Sequence, residues 1–233
     1  MESVKKFLGF AAFIAVAVGC ALVLVPVIKS IVDIMPAFKQ LQGAEAEAII
    51  MVVIMLAVYV FLAAVTVLGV VLGILYAIKS ITGKDEKAVA HSAKMVDIFS
   101  AIGIVRFLGV LVLLVYVYLA SGHPEALTEI FKDAKMIVLL ILIALVVVGV
   151  AVAKVLGKQE NKVPGFVILA VTLVLAIVVN FMLFENASGA MQSSDASTYN
   201  TLFNVGTIIT MAGAIASVVY IGFAVFADAV KKD

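Results

Sequence analysis

The sequence has no tryptophan, one cysteine, two histidines and four prolines, and charged residues make up only 13% of it. Each shortage excludes something. The lone Cys20 allows no intrachain disulfide and no cysteine-rich metal or redox motif. His91 and His123 fall in different loops of the expected topology, so they cannot supply paired haem ligands within one bundle. In its loop, His91 is expected to be a surface residue. Without tryptophan, any aromatic belt at a membrane boundary rests on Tyr and Phe. The formal net charge of +1 leaves no basic footprint for nucleic acid.

Catalytic patterns are also missing. The sequence contains no GxSxG and no HExxH. The Gly-Lys pairs at 83–84 and 157–158 lack both the earlier glycine and the following Ser or Thr of a phosphate-binding loop. No acidic pair lies inside an apolar run. The expectation is a protein that is not an enzyme and carries no cofactor and no metal.

Hydrophobic residues make up 65% of the chain, against roughly 45–50% in soluble domains. Mean hydropathy is +1.28, which excludes a soluble fold. The longest uncharged run, Ala48–Ile78, has no Pro, Asn or Gln in 31 residues. As a helix it would be about 46 Å long, against about 30 Å of hydrocarbon. Six such runs occur, at about 7–28, 48–78, 98–120, 136–153, 164–184 and 198–227. They predict an all-α, polytopic membrane protein. One transmembrane domain over 1–233 holds six helices in a bundle, with helices extending beyond the bilayer.

The first run follows Lys5 and Lys6, as in a signal peptide, and Ala17-Val18-Gly19-Cys20 loosely resembles a lipoprotein cleavage site. The apolar pattern continues through Pro26 to Ile28, so a retained span is expected. Pro26 is expected to kink it near its exit. An amphipathic extension over 28–35 then ends near Pro36. A second amphipathic stripe (Leu127, Ile130, Phe131, Ala134) is expected to run straight into span four.

Charge placement orients the chain. With six spans, twelve Lys and Arg residues (5, 6, 79, 84, 87, 94, 106, 154, 158, 162, 231, 232) fall on the side of the termini. Four (29, 39, 132, 135) fall on the other. The positive-inside rule then predicts a multi-pass cell-membrane protein with cytoplasmic N- and C-termini. Spans two and four end alike, in Lys79…Gly83-Lys84 and Lys154…Gly157-Lys158; capping and topology explain this without an internal repeat. Asn186-Ala187-Ser188 matches a glycosylation acceptor by chance.

Few polar positions remain for function. Arg106 lies about eight residues into span three. It is a candidate solute or ion contact, set against a snorkelling Arg that reaches the cytoplasmic headgroups or pairs with Asp97 or Asp228. Span six carries Asn200, Asn204, Thr207 and Thr210 on one face, with Ser217 near it. Such a stripe lines a pore, or hydrogen-bonds across packed helices. Asn180 and Asn204 fall near the outer ends of adjacent antiparallel spans, where one interhelical hydrogen bond is expected. Gly69 and Gly73 form a GxxxG, and Gly213 with Ser217 a small-xxx-small pair, as packing candidates. The run 48–78 is expected to be the packing spine.

The first functional expectation is a channel or transport component, as a subunit of an oligomeric membrane complex. The second is a structural scaffold that binds partner membrane proteins or lipids. The expected partners are the bilayer and further copies or other membrane subunits. Spans one to five and most of six lack an Asp or Glu, which weighs against ion-coupled transport.

Overall fold

A computed structural model describes residues 2–40, 46–82, 88–120, 132–159, 162–187 and 194–230. Gly83, His123, the 124–131 stripe and Ser188 lie outside them. Six helices follow in order: α1 (Glu2–Gln40), α2 (Ala46–Thr82), α3 (Ala88–Ala120), α4 (Ala134–Leu156), α5 (Val163–Ala187) and α6 (Ser194–Val230). All six are long and apolar enough to cross a membrane. The chain is a multi-pass, all-helical membrane protein by the length and composition of these helices.

Boundaries shift where polar residues were expected to lie outside the lipid. α1 runs through Pro26 and Pro36 to Gln40. α3 begins at Ala88, so the helix expected to pass through His91, Lys94 and Asp97 ahead of span three is formed and continues into that span without a break. The expected continuous entry into span four is broken. Asp133 is a true N-cap, with extended backbone (φ −63°, ψ 123°) and its carboxylate accepting from the Lys135 N–H at 3.0 Å. A capping carboxylate satisfies one of the amides that a helix start leaves open, so α4 starts afresh there.

α1 packs most extensively against α6, then against α2. α4 and α5 form a second tight pair. α3 touches α2, α4, α5 and α6 and joins the two halves. Two apolar cores result. One holds Phe13, Val16, Cys20 and Val23 of α1 against Leu62, Tyr76 and Ala77 of α2, with Ile98, Ile102 and Ile221. The other holds Leu139, Val146 and Val150 of α4 against Leu169, Leu173 and Val179 of α5, with Phe99, Phe107 and Val218. α3 and α6 contribute to both.

The expected packing spine proves to be a peripheral helix. Only 17% of α2's membrane window is buried, against 50% for α1 and for α3. The reason is the solvent. Lipid tails are as apolar as Leu, so apolarity gives a helix no drive inward; small and polar groups that fit a neighbour do. α2 therefore shows Ile54, Phe61, Leu68, Val71 and Leu75 outward and touches α1 through its glycines.

Candidate functional site

Close helix contact comes first, because it fixes where the polar groups go. A methyl group built on Gly213 would lie 2.7 Å from the Val16 N and 2.8 Å from the Ala12 O. One on Gly206 would lie 2.7 Å from the Gly19 O and 2.8 Å from the Val23 N. One on Gly19 would meet Thr210 and, at 2.6 Å, the Gly206 O. α1 and α6 thus meet backbone on backbone over three turns. Gly73 sits on the Phe13 O and on Ala17, and Gly69 on the Cys20 Sγ. The GxxxG of α2 is therefore occupied by α1 within the chain. Gly206 escaped the sequence reading; its two-turn spacing from Gly213 was the available signal. Cys20, at the lipoprotein-like position, is buried in mid-helix.

These contacts enclose the α6 stripe. Thr207, Thr210 and Ser217 are fully buried. Their hydroxyls donate backward along α6: Thr207 to the Phe203 O, Thr210 to the Gly206 O and Ser217 to the Ala214 O, each at 2.8 Å. Across helices, the Ser92 hydroxyl donates to the Ser217 carbonyl at 3.0 Å, and the Thr210 hydroxyl meets the Cys20 Sγ at 4.0 Å. Asn200 and Asn204 are half-buried at the other end of the stripe. The stripe lies between helices.

Arg106 lies 18 residues from the start of α3, about 27 Å along it. It does not reach the end that carries Asp97 and Asp228. Its guanidinium lies over the Phe203 ring, 4.9 Å from the centroid, and Asp97 pairs with Lys154 instead. Asn180 is buried against α3: a methyl group on Gly103 would lie 2.6 Å from its Nδ2. That Nδ2 donates to the Ala176 O at 2.9 Å. The Oδ1 atoms of Asn180 and Asn204 are both buried without a hydrogen-bond partner. The expected bond between these two amides is therefore not formed. Asn180 is turned toward Gly103 of α3 instead.

At the opposite end of the bundle the chain's first and last helices meet. Tyr76 stacks on His91 with centroids 3.9 Å apart and planes 17° apart. Phe13 meets the Tyr76 and Tyr220 rings edge-on at 5.8 and 6.0 Å. Lys79 and Lys94 lie 5.6 and 5.9 Å from the Tyr76 centroid, and Lys5 lies 6.0 Å from that of Tyr220. His91 is therefore a buried, stacked residue rather than a surface one. Beside this cluster, between α3 and the end of α4, lies a cavity of about 210 Å³ that Lys94, Lys154 and Lys158 line. Sequence reasoning counted these lysines for topology but could not see that they converge.

Among the described residues, no three His, Cys, Asp or Glu side chains gather to hold a metal ion. The chain matches no known family model, no curated protein and no solved structure.

Proposed function

We propose that the protein is a non-enzymatic membrane subunit that acts through the lipids and membrane proteins packed around it, not by conduction through its own bundle. We place it in the cell membrane, with both termini and the lysine-rich end cytoplasmic. One observation carries the reading. Over Thr207, Thr210 and Ser217 the stripe best suited to line a path is buried, and these three hydroxyls donate to their own helix backbone. A path for water or ions must offer those groups to the solute instead. Long apolar faces on α2 and α4 supply surface for lipid and for neighbouring subunits.

A transport component is the second reading. Arg106 at mid-helix favours it, as do the two carboxamide oxygens, on Asn180 and Asn204, buried without partners. A buried acceptor without a donor costs about 1–3 kcal/mol, and retaining one needs a reason.

Solute flux separates the two. Proteoliposomes of the purified chain are expected to remain as tight to K⁺, Cl⁻ and glycerol as empty vesicles. Flux that falls with Arg106→Leu or Asn204→Leu would establish the transport reading instead. Orientation has its own check. Because Cys20 is buried, a cysteine introduced at Lys162 or Lys135 is the single reactive thiol. An impermeant maleimide added to intact cells should label the Lys135→Cys variant and leave Lys162→Cys unlabelled. The reverse pattern would overturn the assignment.

A further inference from the structure

The cavity beside α4 has features that a packing defect does not. Ala90, Ala93 and Ala153 line it with small methyl groups from α3 and α4. At about 210 Å³ it far exceeds the ~10–15 Å³ that admits a single water. Its polar lining is cationic: Lys94, Lys154 and Lys158. Asp97 pairs with Lys154 beside it. Gly157 is held in place at the rim. Its N–H donates to the Ala153 O at 2.9 Å, and Gly165 of α5 packs on its backbone, where an added methyl group would lie 2.7 Å from the Gly157 N. The Gly157 φ of −66° is ordinary, so close approach, not a left-handed turn, explains the glycine.

The cavity also sits where an apolar helix face stops. Leu140 and Val147 are exposed along α4 at seven-residue spacing, on the stripe that Lys154 continues two turns further on and Lys158 flanks. Acyl chains would lie along that stripe, and a headgroup would reach the lysines. Phosphate oxygens accept the charge-assisted hydrogen bonds that ammonium groups donate, and alanine walls exclude competing water. Basic pockets between helices at the cytoplasmic face suit anionic headgroups.

We propose that the cleft between α3 and α4 binds the phosphate headgroup of an anionic phospholipid through Lys94, Lys154 and Lys158. Free phosphate shares this chemistry; the exposed apolar row of Leu140 and Val147 favours the lipid. The assignment deepens the reading of the protein as a lipid-binding membrane subunit and rests on it only for the cleft facing a headgroup layer.

The full chain in a neutral detergent is titrated with phosphatidylglycerol, phosphatidylcholine and inorganic phosphate, reading bound lipid by native mass spectrometry and Tm. Phosphatidylglycerol is expected to bind saturably at one site and raise Tm, and phosphatidylcholine is not. Lys94→Gln and Lys158→Gln, which leave the Asp97–Lys154 pair intact, should each weaken binding about fivefold. Lys162→Gln, at the same end but outside the cleft, should not weaken it. Lipid-free Tm of each variant reports folding separately. Equal binding of phosphatidylcholine, unchanged affinity in both cleft variants, or equal competition by inorganic phosphate would each overturn the assignment. Vesicle flux would still decide the non-conducting reading, whichever way this binding test falls.

Discussion

Gly206→Val is expected to be the most damaging single substitution in the chain. The new Cβ would stand 2.7 Å from the Gly19 O, 2.8 Å from the Val23 N and 2.9 Å from the Val23 Cγ2. Two of these are backbone atoms of a helix, which cannot rotate away as a side-chain tip can. α1 and α6 must then separate along the most extensive contact in the bundle. Overpacking a tight interior costs about 1–3 kcal/mol even where neighbours yield, and here they do not. Separation would also open the cover over Thr210 and Cys20, which are fully buried at this contact. A loss of ~3 kcal/mol or more is expected, seen as collapse of the thermal transition in detergent. Gly109→Ala is the control. Its added methyl group meets only Val58 Cγ1 at 3.6 Å, an ordinary contact. It should be neutral or stabilising by up to about 1 kcal/mol, as alanine favours helix. Equal stability of the Gly206 variant and the parent would mean that α1 and α6 do not touch through their backbones.

The second large effect is expected at Gly103, and it should be reversible. An added methyl group there falls 2.6 Å from the Asn180 Nδ2 and 2.9 Å from its Oδ1. Asn180 has little room to move, at 2% exposure, and its bond to the Ala176 O would be lost if it turned. The amide would then be stranded in an apolar interior. Gly103→Ala should therefore cost about 3 kcal/mol, from overpacking and a lost hydrogen bond together. Asn180→Ala removes an amide that already carries an unpartnered oxygen, so its own cost should be small, about 1 kcal/mol. The double variant should recover most of the Gly103 loss, giving a coupling of about 2 kcal/mol. Simple additivity of the two changes would show that they are not in contact.

Those two sites also mark how far the sequence could be read. The count of spans follows from uninterrupted apolar runs, because a backbone in lipid must close its hydrogen bonds within the segment. Gly69, Gly73 and Gly213 could be picked as contact points, because small residues at helical spacing admit a close neighbour whichever helix it is. The neighbour itself could not be named. Gly69 faces Cys20, and Gly213 faces Val16, across separations of 49 and 197 residues that no local pattern encodes. Arg106 was counted eight residues into span three because His91, Lys94 and Asp97 looked like aqueous residues; on α3 it is the nineteenth residue. Each is instead accommodated on α3, the first by the Tyr76 ring, the second near that ring and the third by Lys154.

From the sequence alone came the all-helical membrane class, the six spans and the gathering of lysine at one end. These are properties of single segments against a uniform solvent, and composition and length suffice for them. Only the tertiary structure decided that the least interrupted helix is peripheral, that the α6 stripe is enclosed, that Asn180 meets Gly103 rather than Asn204, and that three lysines share one cleft. Each depends on how a helix is rotated about its axis and which neighbour it meets. In lipid that choice is made by shape and hydrogen bonding between helices, not by apolarity, so it is not written in any one run of residues.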